Sequence, residues 1–300
     1  MSKYIQITLL LTIICSACQE AVDADELINI EDSTYIIGYI SPTDTVLTVH
    51  VSTAVPAVGT PIPRYNNSYD TETVSTIEKF IIKDATVIIS DEENNVIQLN
   101  YNPERRNYQV PASEFDIIEG ATYFLRVSAN NKEYTSSCII PKKIETITGK
   151  IIAGEENEYY QNYNLDVAFQ DISGSRNFYL IGGLAEIEYE DGPYIIPMDF
   201  GLNSYLTDVI GDGAVVSLNS TFSYFPQDSA ATSNAKITLQ VTNVEEILYL
   251  NRRATYLNNY NDDNPFVEYS IAPNNIEGEN GVGVFAGYQL TEKVFEYELK

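Results

Sequence analysis

The first half of the chain alternates apolar and polar residues in short runs that are separated by polar turns. Alternation with a period of two places the apolar side chains on one face of an extended strand, and β-branched residues favour that conformation. Tight turns are indicated at Asn94 and at Asn130-Asn131, because Asn tolerates a positive φ. Short strands at this spacing predict an immunoglobulin-like β-sandwich over residues 34–143. The runs with the strand pattern are Thr34–Ile40, Thr45–Ala54, Ala85–Ser90, Val96–Tyr101, Ala121–Ala129 and Lys132–Ile140.

The second half continues the strand pattern but contains one helix. Apolar residues at near-helical spacing predict an amphipathic helix near 243–258, with Asn243 as its N-cap and Glu246 in the capping-box position. Residues 144–300 are therefore predicted to form a second β-rich domain, and the fold class is all-β. The predicted strands are Glu145–Ala153, Asn164–Gln170, Phe178–Leu184, Glu186–Tyr189, Tyr194–Ile196, Ser220–Phe225, Lys236–Val241, Val282–Gly287 and Lys293–Tyr297.

A stretch rich in proline and small polar residues interrupts the strand pattern at residues 55–76. Connections of this length within a compact domain are usually functional or disordered. Pro61, Pro63 and Tyr65 are therefore candidate partner-binding residues. The alternative interpretation is an ordinary mobile surface loop.

The amino terminus has the pattern of a secretory signal. A basic residue precedes a ten-residue apolar segment, Ile5–Ile14, which is too short to span a bilayer as a helix. Ser16-Ala17-Cys18 matches a lipoprotein signal-peptidase site, so residues 1–17 are predicted to be removed and Cys18 to be lipidated. Residues 18–33, which are rich in acids, would then form a tether, and acids directly after such a Cys resemble a surface-export signal. The alternative is an ordinary cleaved signal peptide with Cys18 as an incidental thiol.

Composition narrows the functional classes. Lys and Arg total 17 against 43 Asp and Glu, and the formal net charge of -26 argues against nucleic acid as a partner. One His and three Cys leave little basis for a His-rich metal site, a zinc module or a disulfide scaffold. We see no catalytic motif, and no cofactor is expected; His50 lies in a predicted strand without a visible partner. Asp262 and Asp263 are weak calcium candidates, since they lack the spacing of an EF-hand loop.

Three stretches carry a family resemblance: DATVIISD at residues 84–91, GATYFLRV at 120–127 and NIEGENGVGVFAGY at 275–288. Together with the lipoprotein-like signal, they resemble the Bacteroidota lipoproteins of the domain of unknown function 4249 family, over about residues 18–298. The resemblance implies a lipid-anchored protein of the outer membrane or cell surface that is linked with TonB-dependent receptors. It supplies no catalytic residues.

The leading hypothesis is therefore a non-catalytic accessory binding component of a TonB-dependent nutrient receptor, with an unknown ligand. The glycine-rich stretch is a second candidate contact, through Gly278, Gly281, Gly283 and Phe285, because glycine permits close approach of the backbone. Its alternative interpretation is a turn that closes the last strand pair. Two other functions stay open: a surface hydrolase that uses paired carboxylates, and a free-standing structural or adhesive lipoprotein.

Overall fold

The computed structural model describes residues 33–54, 78–157, 159–189, 192–208, 211–225, 233–260 and 270–299. This part of the chain contains fifteen β-strands, one α-helix and two short 3-10 turns. The strands of the first half are β1 (Thr34–Ile40), β2 (Val46–Thr53), β3 (Thr86–Asp91), β4 (Val96–Asn102), β5 (Asn107–Pro111), β6 (Thr122–Ala129) and β7 (Lys132–Ile139). Those of the second half are β8 (Ile147–Glu156), β9 (Gln161–Gln170), β10 (Phe178–Tyr189), β11 (Gly192–Pro197), β12 (Tyr205–Thr207), β13 (Val215–Tyr224), β14 (Ser233–Val244) and β15 (Gly281–Leu299). The helix is α1 (Glu246–Tyr260).

The amino-terminal strands form a sandwich around one apolar core. Alternation works as the sequence predicts: in β1, Ile36 and Ile40 are fully buried, whereas Tyr35, Ile37 and Tyr39 point to the opposite face. Apolar residues of β1, β2 and β5 pack against those of β3, β6 and β7. Asn130-Asn131, with φ of 52° and 59°, forms the turn between β6 and β7. The core includes Val49, Tyr108, Val87, Val127, Tyr134 and Cys138.

The carboxy-terminal strands enclose a second apolar core. A 12-stranded sheet runs through both halves in the order β11-β10-β14-β15-β1-β2-β5-β4-β3-β6-β7, with β12 paired to β10. A three-stranded sheet, in the order β13-β9-β8, packs on strands β10, β14 and β15 of this sheet. Aromatic contacts join the two layers: the rings of Phe169 and Tyr179 lie 5.0 Å apart, and those of Tyr163 and Tyr297 lie 5.6 Å apart. The all-β fold with one helix is thus confirmed.

Strand β15 belongs to both halves of the molecule. Its first residues pair in parallel with β1, from Thr34 opposite Gly281 to Ile40 opposite Gly287, and its later residues pair antiparallel with β14. Phe285 lies in the amino-terminal core and Leu299 in the carboxy-terminal core. The domain boundary that the sequence predicts near residue 143 stays a prediction. Strand β15 runs through both cores and is shared by the two halves.

The helix starts later than the capping pattern predicts. Asn243 is not its N-cap but the penultimate residue of β14, where it pairs with Gln289 and its Nδ2 donates to the carbonyl of Lys142 at 2.9 Å. The residue directly before the helix is Glu245, whose carbonyl accepts from Tyr249. In the described ranges no helix is long and apolar enough to cross a membrane.

Candidate functional site

The outer face of strands β1 and β2 is only partly covered. Because the inward residues of these strands fill the sandwich core, Tyr39 and His50 point to the other side of the sheet. Helix α1 lies on the adjoining strip of this face, where Leu248 packs with Val284 and Ala286 of β15. The uncovered strip between the helix and strands β1 and β2 forms a groove, which we call the helix groove.

The helix groove encloses about 400 Å³ and draws its walls from both halves of the chain. A concave site of this size at the junction of two structural units is typical for a small ligand or for a segment of a larger one. Its lining residues are Ile37, Gly38, Tyr39, Asp44, Val46, Thr48, His50, Arg105, Asn107, Leu180, Thr242, Val244, Leu248, Arg252 and Tyr288.

Two exposed arginines and the sole histidine line this groove. Arg105 comes from the turn between β4 and β5, and Arg252 comes from α1. Among the described residues, neither arginine forms an ion pair, whereas the neighbouring Arg106 pairs with Glu78 at 3.3 Å. Burial lowers the pKa of His50, and a hydrogen bond with the Arg106 backbone opposes that shift, so its ring is neutral near pH 7.

The charge of Arg252 acts on three partly buried tyrosines, of which Tyr39 lines the helix groove. Burial raises the pKa of Tyr35, Tyr39 and Tyr205, and the positive charge of Arg252 opposes that rise at all three. Tyr205 also contacts the ring of Tyr256, with centroids 5.2 Å apart. An aromatic wall beside an arginine can hold a planar or apolar group next to an anion.

Two residues of the groove lining, Asp44 and Tyr288, contact each other. The Asp44 carboxylate accepts from the Tyr288 hydroxyl and, at 2.8 Å, from the backbone N–H of Ser41. Burial raises the pKa of Asp44, and these hydrogen bonds oppose the rise. The contact ties the turn after β1 to strand β15. Asp44 is thus already engaged within the fold.

A second concave surface lies on the outer face of β3, β6 and β7, beside residues 274–277. It is larger, at about 1050 Å³, and it is bordered by Arg126, Phe124, Asp91, Glu92 and Glu277. Three acids border this surface against one arginine. We take the helix groove as the candidate site because it joins both halves of the chain and carries the opposite charge.

The glycine-rich stretch forms a structural junction. Gly283 has a φ of +134°, and a Cβ atom there would overlap the carbonyl oxygen of Ile36 and lie 2.7 Å from its carbonyl carbon. A Cβ atom at Gly278 would lie 2.6 Å from the carbonyl oxygen of Glu133, and one at Gly281 would lie 2.8 Å from the ring of Tyr134. Phe285 is fully enclosed in the core. The Phe285 side chain is therefore not exposed to a partner.

Residues 23–294 match a family model, Domain of unknown function (DUF4249). The chain belongs to this family. The matched range covers every described strand from β1 to β14 and most of β15, so it includes all the residues that line the helix groove. No curated protein matches the DUF4249 chain.

Several predicted site residues of this DUF4249 protein lie outside the described residues. They are Cys18 with the signal and tether around it, the loop residues Pro61, Pro63 and Tyr65, and the calcium candidates Asp262 and Asp263. These assignments stay predictions.

Sequence reasoning missed Arg105, Arg252, Asp44 and Tyr288 as members of one site. Only part of a signal exists for them: Leu248 and Arg252 are four residues apart and therefore share a helix face. The other members come together only through long-range strand pairing, of β1 with β15 and of β2 with β5.

Proposed function

We propose that this protein is a non-catalytic lipoprotein of the outer membrane or cell surface that serves as an accessory binding component of a TonB-dependent nutrient receptor. The observation that carries the binding role is the helix groove, which gathers arginine, histidine and tyrosine side chains on rigid strands and a helix. A site on rigid elements loses little conformational freedom when a ligand binds. The receptor partnership rests on the resemblance described for residues 18–298.

The lipid anchor is the second part of the proposal. Its support is Ser16-Ala17-Cys18 after a short apolar segment, followed by the acidic residues of 18–33. Two or three acyl chains anchor a protein stably where one chain does not. Mass spectrometry of the mature amino terminus tests it: a diacylated or triacylated Cys18 is expected. A mature chain that starts at Gln19 or later, or that keeps a free Cys18 thiol, would overturn it.

Purification from membranes of the native host tests the receptor partnership. A tag after Lys300 and a mild detergent are used, and a TonB-dependent receptor is expected in the eluate in fixed proportion to the protein. A variant with Pro61, Pro63 and Tyr65 changed to Ala should lose the receptor if the predicted loop is the contact. If the parent chain elutes alone under conditions that preserve known receptor complexes, the free-standing structural lipoprotein becomes the better proposal.

The hydrolase alternative is not favoured by a specific observation. The two described carboxyls with a raised pKa are Asp44 and Glu245. Asp44 is held by Tyr288, and Glu245 accepts from the N–H groups of Ile139 and Gly287 at 2.9 and 2.6 Å. Each of them therefore joins elements of the fold.

A further inference from the structure

The helix groove carries positive charge on a chain of strongly negative net charge. The protein has a formal net charge of -26, yet the groove is lined by Arg105 and Arg252, and neither forms an ion pair among the described residues. The local field of this groove therefore attracts anions, although the whole molecule repels them.

The acidic lining of the groove does not cancel this charge. Within the described part of the chain, Asp44 is the one acid that lines it. Its carboxylate already accepts hydrogen bonds from the Tyr288 hydroxyl and the Ser41 N–H. Two guanidinium groups thus line the groove against one carboxylate, which the fold already engages.

The walls between these charges are apolar and aromatic. Ile37 and Tyr39 of β1, Leu180 of β10 and Leu248 of α1 all line the groove. Such walls favour a ligand with a carbon framework over a bare inorganic ion, because burial of apolar surface adds to the affinity.

The groove also contains an unsatisfied polar atom. Asn107 Oδ1 is buried and has no hydrogen-bond partner among the described residues. A buried carbonyl oxygen without a donor is costly, and an occupant or a water that donates to it removes that cost.

We propose that the helix groove binds an organic oxyanion, a carboxylate or a phosphate on an apolar or aromatic body, with Arg105 and Arg252 as the anion-binding residues. Arginine is suited to both oxyanions, because its planar fork can donate two parallel hydrogen bonds to either. The apolar body packs against Tyr39 and Leu248. This inference deepens the proposed function. It rests on that proposal in one respect, namely that the helix groove is a binding site.

Titration of the purified full chain with three small probes tests the inference. The probes are benzoate, phenyl phosphate and benzamide, which share a phenyl ring and differ in the polar group attached to it: a carboxylate, a phosphate and a neutral amide. Binding is measured by ligand-observed NMR. At least one of the two anions should bind saturably and at least about tenfold more tightly than neutral benzamide, with affinity falling as salt is raised. The tighter of the two anions identifies carboxylate or phosphate as the group that is recognised.

Matched arginine variants localise the binding. Arg252→Gln and Arg105→Gln should each weaken the anion about tenfold, whereas Arg253→Gln, the next residue on the same helix and not part of the groove lining, should leave it unchanged within about twofold. Thermal unfolding of each variant checks that the fold is kept. Equal affinity for benzamide, no saturable anion binding, or an equal loss in Arg253→Gln would each overturn the inference. Because these measurements use the isolated protein, failure here is distinct from failure to copurify with a receptor.

Discussion

Replacement of Gly283 by Ala tests the junction between β1 and β15. Gly283 lies opposite Ile36 in the parallel pair, at a φ of +134° that L-residues rarely adopt. The added methyl group would overlap the Ile36 carbonyl oxygen. The backbone fixes the position of a Cβ atom, and the oxygen that it meets is itself a backbone atom in the middle of a sheet. No side-chain rotation can therefore relieve the overlap. The strands must separate, or Gly283 must change conformation.

The size of the effect follows from both costs. A non-glycine residue in a sparsely populated backbone region costs about 1–3 kcal/mol. Separation of the strands weakens at least two or three backbone hydrogen bonds, at about 1 kcal/mol each. The expected loss in the free energy of unfolding is therefore about 3–6 kcal/mol, against about 5–15 kcal/mol for a whole domain.

Gly120→Ala is the matched control. Gly120 also has a positive φ, of +79°, but a Cβ atom there would meet nothing within 4 Å. The control therefore keeps the conformational cost, about 1–2 kcal/mol, without the overlap. Urea unfolding is followed by tyrosine fluorescence, because the chain has 23 Tyr and no Trp. If Gly283→Ala unfolds at the same urea midpoint as Gly120→Ala, the close approach of β1 and β15 is wrong.

Three further predictions concern buried groups. Cys138 is 2% exposed, and burial raises the pKa of its thiol, so iodoacetamide should modify it only in urea. Peptide mass spectrometry reads the modification. Rapid labelling of the native protein would contradict the buried position of Cys138. Leu248→Asp buries an unpaired charge and should lower the free energy of unfolding by about 3 kcal/mol or more, as measured by urea unfolding. The control Leu250→Asp, at a 39% exposed position, should lower it by less than about 1 kcal/mol. Burial raises the pKa of Glu245, so its stabilising contribution is greatest below the unfolded-state pKa and is lost as pH rises through the folded-state pKa. The advantage of the parent protein over Glu245→Gln in urea midpoint should therefore be larger at pH 4 than at pH 7. Urea midpoints that differ equally at both pH values would refute this.

Local alternation predicted most of the strands, because one face of each strand is buried and the other is not. The bounds of β1 agree with the sequence pattern at both ends, and those of β7 agree to within one residue. The pattern failed in β15, which was predicted as two strands because polar residues interrupt it. In the structure Gln289 and Thr291 are nearly buried, and Thr291 Oγ1 donates to the carbonyl of Ile144 at 2.6 Å. A polar residue that is satisfied by a distant partner can stay in a central strand, and that partner is invisible to a local pattern.

The candidate site was beyond the reach of local patterns for the same reason. His50 was set aside because the sequence showed no partner for it, and its groove neighbours Arg105 and Arg252 lie far away along the chain. The pairing of β2 with β5 brings Arg105 beside His50, and the parallel pairing of β1 with β15 brings in the strand on which the helix with Arg252 packs. The partners in the β1–β15 pair are separated by almost the whole described chain. Contacts at this separation depend on the complete fold rather than on residue spacing.

The glycine-rich stretch and the helix groove are physically linked through strand β15. Close approach at Gly283 sets β1 beside β15, which places Tyr39 opposite Ala286 under the edge of the helix. Two residues further along, Tyr288 donates to Asp44, and both residues line the groove. The glycine-rich stretch thus positions strand β15 against β1 and contributes its last residue, Tyr288, to the lining of the site. It follows that Gly283→Ala should weaken stability and anion binding together, whereas Arg252→Gln should weaken binding alone.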